Sequence, residues 1–221
     1  MKNFKTIILC TLIFNVILLN ALIPQAENKQ SLLKTTDAFV LEDLNFDLIQ
    51  SEPIIITRDS DFLIFPGAGT SEDPYRIENY NITTSEYLCG VNITGTSKYF
   101  VIQNCLIDAI DVGIWIFYTA EGTVRIINNT CINNNLYGIN VRFTSDAVIS
   151  DNKVFSSGEG GISAIFSDNL LVRNNLCFSS KKNGISLHYI ESAIVENNTC
   201  FDNTNGLELF NARDTEIRNN L

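Results

Sequence analysis

The 221-residue chain is predicted to be all-β and to wind as a parallel solenoid of about six coils. Three observations carry this. Asn129, Asn152, Asn175, Asn198 and Asn220 recur at steps of 23, 23, 23 and 22 residues. Gly113, Gly138, Gly161, Gly184 and Gly206 keep nearly the same step. Between them, apolar residues alternate with polar ones, the pattern of a half-buried strand. A fixed period in the range of about 20–50 residues marks a repeat architecture whose coils must stack to bury an apolar face.

The elements are read in chain order. Residues 1–26 read as a signal peptide or N-terminal anchor. Lys2 and Lys5 precede an apolar run from Ile7 to Ile23, and Pro24-Gln25-Ala26 offers a small residue for cleavage. This predicts an extracytoplasmic chain, whether secreted, periplasmic or at the cell surface. The membrane is met only if that segment stays uncleaved. Residues 27–75 belong to no repeat and read as an N-terminal segment and cap, with Pro53-Ile54-Ile55-Ile56-Thr57 as a strand. Covering the first coil is its expected task, since an open coil end is an unpaired edge.

The repeats occupy residues 76–221. The pairs IINNTC/GINVRF, ISDNKV/GISAIF, VRNNLC/GISLHY and VENNTC/GLELFN follow one template. Two earlier coils fit less closely, and Cys105 takes the place of the second Asn in one of them. The last coil starts at Ile217 and stops at Leu221 in mid-coil, as expected of a piece of a longer protein.

Alternation assigns the interior. After each Gly, the first, third and fifth residues are expected inward. This sends Ile114, Ile139, Ile162, Ile185 and Leu207, then Ile116, Val141, Ala164, Leu187 and Leu209, into the core. It adds an inner aromatic ladder of Tyr118, Phe143, Phe166 and Tyr189. Ile77, Ile102, Ile126, Ile149, Val172, Val195 and Ile217 form an inward column before the Asn positions. Ile82, Ile107, Cys131, Val154, Cys177 and Cys200 form one after them. The Asn column is expected to be a buried ladder whose amides satisfy turn backbone and each other. Asn and Gly are also expected to supply left-handed backbone at corners, including at Asn183-Gly184 and Asn205-Gly206. Leucine-rich repeats share the length and an Asn, but Ile, Val and Phe dominate here and no helix-forming stretch fills the repeat. A hexapeptide rhythm is absent.

These segments resemble the repeats of NosD-like periplasmic proteins and of the carbohydrate-binding and sugar hydrolase β-helix superfamily. Gly67 to Ile82, GAGTSEDPYRIENYNI, is similar to the opening of NosD-like repeat regions. The resemblance spans about Pro53 to Leu221 and implies a right-handed parallel β-helix. It does not imply one activity, because that superfamily holds lyases, hydrolases, epimerases and non-enzymatic surface proteins.

Formal charge is 15 − 25 = −10, with no basic stripe, which argues against nucleic-acid partners and anionic lipid. Cys10 leaves with a cleaved signal, and the inward cysteines read as small buried hydrophobes. Four sequons, at Asn81, Asn92, Asn128 and Asn197, are expected by chance in an Asn- and Thr-rich repeat.

The outward residues after each Gly make two columns on one sheet. One holds Asn92, Trp115, Asn140, Ser163, Ser186 and Glu208; the other holds Thr94, Phe117, Arg142, Ile165, His188 and Phe210. From these, Trp115, Phe117, Asn140, Arg142, His188, Glu208 and Phe210 are the candidate face for a carbohydrate or protein partner. No catalytic residue, metal site or cofactor is assigned. Glycosidases need two carboxylates about 5–9.5 Å apart, and the outward columns offer only Glu208 and Glu196, on different sheets. Asp108 and Asp111 read as a solvated turn. Arg173, Glu196 and Arg218 read as a salt-bridge ladder. The copper role that the NosD resemblance implies lacks ligands, since His188 is the single histidine and Met1 the single methionine. The expected function is a non-catalytic, exported binding module. The alternatives are a polysaccharide-active enzyme whose site is incomplete in this chain, or a NosD-like copper-related protein.

Overall fold

A computed structural model describes residues 47–221. The signal or anchor expected at residues 1–26, and residues 27–46 of the expected cap, lie outside the described residues.

Three seven-stranded sheets, all of parallel pairs, run the length of the solenoid. Sheet A runs from Ile49–Gln50 to Thr199–Phe201, and sheet C from Tyr75–Glu78 to Glu216–Arg218. Sheet B is built from Ile54–Ile56, Cys89–Thr94, Val112–Phe117, Tyr137–Arg142, Gly160–Ile165, Asn183–Glu191 and Asn205–Arg213. Counted from sheet C, six coils run from Tyr75 to Arg213. The expected strand at Pro53–Thr57 is present, but it and Ile49–Gln50 are the first strands of sheets B and A. The sheets therefore start well before residue 76. A 3-10 turn, Asp59–Ile64, follows and buries Phe62, whose ring stacks on Tyr75 at 5.0 Å.

The inward columns are as alternation requires except toward the last coil, where Cys200 and Leu207 are only partly buried and Leu209 and Ile217 are 37% and 46% exposed. Ile77, Ile102, Ile126, Ile149, Val172 and Val195 are fully buried, and so are Ile82, Ile107, Cys131, Val154 and Cys177. The first and third residues after each Gly face in from Ile114 through Leu187. The fifth does not. Tyr118, Phe143, Phe166 and Tyr189 are 69%, 44%, 47% and 45% exposed. Each adopts left-handed backbone, with φ between 51° and 55°. That turn breaks the two-residue alternation and swings the ring outward. The aromatic ladder thus lies on the surface at the corner between sheets B and C. A buried aromatic stack exists elsewhere: Phe155 and Phe178, one residue past Val154 and Cys177, stack at 4.7 Å and are 1% and 0% exposed.

The Asn ladder is internal. Asn129, Asn152, Asn175 and Asn198 are at most 1% exposed. Each side-chain oxygen accepts from the preceding coil, ending with Asn220 Oδ1, which takes the Asn198 N–H and Nδ2 at 2.9 Å. Each Nδ2 also donates to a carbonyl one coil back, as Asn152 does to Ile126. The residue just before each rung holds the left-handed angle, including Asn128, Asp151, Asn174 and Asn197.

The periodic glycines play a different part from the one expected. They sit within sheet B strands and not at corners, and their φ is not positive. A Cβ on Gly138 would meet Val154 Cγ1 at 2.0 Å, and one on Gly161 would meet the Gly184 carbonyl at 2.6 Å. Glycine is required there by space between coils.

Candidate functional site

Strand pairing puts the outward residues of sheet B in line. Asn92, Trp115, Asn140, Ser163, Ser186 and Glu208 are successive Cα partners, and so are Thr94, Phe117, Arg142, Ile165, His188 and Phe210. Coils lie about 4.8 Å apart, so each column is a straight row. The middle of the first row is recessed: Asn140, Ser163 and Ser186 are 0%, 2% and 4% exposed. Half-buried Trp115 and Arg142 stand at one end of this floor, and His188 and Glu208 at the other.

At the first end, the Arg142 guanidinium lies 5.1 Å from the Trp115 ring centroid. Its Nε donates to Asn140 Oδ1 at 3.1 Å. Cation–π attraction and this bond fix the guanidinium plane. Asn140 Nδ2 is buried without a partner among the described residues. Phe117 is 37% exposed and meets Phe143 edge-on at 5.6 Å.

At the second end, Glu208 Oε2 accepts from Asn183 Nδ2 at 2.5 Å and lies 3.2 Å from His188 Nε2. Asn183 Oδ1 in turn accepts from Asn205 Nδ2 at 2.9 Å. Lys182 pairs with Glu159, and the bond to that carboxylate holds the ammonium above its ordinary range. Phe210 packs edge-on against His188 at 5.8 Å and Tyr189 at 5.4 Å.

The seven candidate residues are thus split between two ends of one face. Asn183, Lys182 and Glu159 join the second end and were missed in the sequence, because they precede the strands' alternating portion. A carboxyl pair was also missed. Glu121 and Asp146 are hydrogen-bonded at an exposed corner, and that shared bond raises Glu121 above the usual carboxylate range. Such a contact is closer than the separation glycosidases use. Glu208 and Glu196 lie on sheets B and C. Glu196 accepts from Arg218 at 2.7 Å, an exposed pair of modest worth.

Copper does not fit these residues. Cys177 and Cys200 are adjacent, but Val154 separates Cys131 from Cys177, and Cys131 and Cys177 lie in the apolar core. His188 faces the other side of the coil wall, beside a carboxylate. Among the described residues no group of three His, Cys, Asp or Glu side chains converges to hold a metal. None of their helices is long and apolar enough to cross a membrane.

The family described as right-handed β-helix region matches residues 89–221. No curated protein matches the chain. A crystal structure of a candidate glycosyl hydrolase from Parabacteroides merdae is similar at 12% identity and a TM-score of 0.37, covering 67% of this chain and 76% of that one.

Proposed function

This chain belongs to the right-handed β-helix family, and on that premise we propose that it is an exported, non-catalytic module whose sheet B face binds a carbohydrate. One observation carries the reading. Trp115, pinned by Arg142, stands beside a recessed row of small polar side chains on a rigid sheet. An aromatic platform beside convergent amide and hydroxyl groups suits a sugar, which has apolar C–H faces and a polar rim. A ring and a guanidinium are also common anchors of protein contacts, so a surface protein is the second occupant of the same face.

The reading is non-catalytic because the polar groups at the Glu208 end are spent on one another. Glu208 is engaged by Asn183 and His188, and Lys182 by Glu159. A polysaccharide-active enzyme remains the alternative, with Glu208 its natural acid or base. A glycan array run beside reducing-sugar and unsaturated-product assays on acidic and neutral polysaccharides tests the choice. Binding without turnover, lost in Trp115→Ala, supports the module. Turnover that vanishes in Glu208→Gln would replace it with the enzyme.

A further inference from the structure

Away from the sheet B floor, the B–C corner of the early coils holds a shallow, open cleft of about 670 Å³. Asp59, Gly95, Thr96, Ser97, Tyr118 and Thr119 line it. The other rings of the corner ridge are occupied by one another: Phe143, Phe166 and Tyr189 stack at 5.1 and 4.8 Å. Tyr118 differs. The ridge runs from Phe117 to Phe143 and leaves Tyr118 with a single tilted contact, to Phe117 at 6.4 Å. It is the most exposed ring of the row, at 69%.

The polar lining complements that ring. Asp59 Oδ1 accepts the Thr96 hydroxyl at 2.7 Å, while its Oδ2 accepts nothing among the described residues. Thr119 Oγ1 donates to Thr144 and keeps lone pairs of its own. Gly95, at φ 67°, leaves its flank open: a Cβ there would meet nothing within 4 Å. No cationic side chain lines the cleft, so the Asp59 carboxylate disfavours an anionic guest.

We propose that this cleft is a subsite for a neutral pyranose ring, with C–H groups on Tyr118 and a pair of hydroxyls donating to Asp59. It rests on the carbohydrate reading above and narrows it to uncharged sugars at this position. The fit is chemical: an aromatic platform, a half-free carboxylate and hydroxyl acceptors around one opening.

Saturation-transfer NMR on the full chain tests it, with methyl glucoside, galactoside and mannoside as probes and methyl glucuronide as the charged control. Transfer to at least one neutral glycoside is expected, with the glucuronide silent. Measured in the Trp115→Ala background, which takes the sheet B face out of the signal, Tyr118→Ala and Asp59→Asn should each weaken it at least about tenfold. The Asn variant keeps an acceptor for Thr96, and Tyr118 supports no core, so neither loss would reflect unfolding. Silence from all neutral glycosides, or transfer indifferent to both variants, overturns the subsite. Transfer already absent in the Trp115→Ala background also overturns it, yet leaves the sheet B face standing.

Discussion

Asn152 donates both its backbone N–H and its Nδ2 to one atom, Oδ1 of Asn175, each at 3.0 Å. Asn175 makes the same pair of bonds to Asn198 at 2.9 Å and sends Nδ2 to the Ile149 carbonyl at 2.9 Å. One buried amide thus closes the turn of its own coil and that of its neighbour. Asn175→Ala strands two buried donors of Asn152, each worth about 1–3 kcal/mol. Urea melts should show a loss of about 2–4 kcal/mol. A loss below about half a kcal/mol would mean the ladder contributes nothing net.

The two aromatic stacks should separate in the same assay. Phe178→Ala opens a cavity at a fully buried site and should cost about 3–5 kcal/mol. Phe166→Ala removes a 47% exposed ring that gains mainly from stacking on Phe143 and Tyr189, worth about 1 kcal/mol. Equal costs would contradict the outward placement of the corner ridge.

A second polar column is incomplete and should be improvable. Asn203 Oδ1 accepts the Ser180 N–H, and its Nδ2 donates to the Cys177 carbonyl, both at 2.9 Å. The preceding rungs are Ser180 and Ser157, whose buried hydroxyls lack partners among the described residues. Ser180→Asn should repeat the Asn203 arrangement one coil earlier, toward the Ser157 N–H. Stability should rise by about 1 kcal/mol; a drop of that size would mean the rung has no room for a carboxamide.

The buried thiols make stability depend on alkali. Burial pushes Cys105 up to about 12, and burial raises Cys131 and Cys177 as well. Unfolded thiols titrate near about 8.5. Above that pH the native state holds protons that the unfolded chain has lost, so stability falls as pH rises, by up to about 1.4 kcal/mol per unit for each thiol. Below about 8.5 this contribution is fully present. Denaturant midpoints from pH 7 to 10 should decline, and Cys105→Ala should flatten the slope. In the native state an alkylating agent should reach Cys89 and Cys200, which are partly exposed, before Cys105, Cys131 and Cys177. A disulfide between Cys177 and Cys200 in the purified chain would contradict the free thiols.

The repeat period made the coils, the inward columns and the Asn ladder legible, because each depends on local alternation that stacking then copies. Legibility ends where alternation breaks. Phe143 and Phe166 look like a third inward position until left-handed backbone turns them out, and a strand pattern carries no sign of that turn. The role of Gly138 was misread because its constraint, Val154 of the next coil, lies across the stack. The sheet B rows were legible in register, but the ties among Glu208, Asn183 and His188 were not. They depend on side-chain reach between coils and not on spacing.

Ligand is proposed to meet the sheet B face at Trp115. Because Trp115 is the single tryptophan of the chain, its fluorescence reports on that face alone. Titration with the polysaccharide that scores highest on the glycan array should shift its emission saturably, with a dissociation constant matching an independent binding isotherm. Arg142→Ala, which frees the ring, should weaken both together. Binding that saturates in the isotherm while Trp115 emission stays unchanged would place the ligand elsewhere and contradict the account.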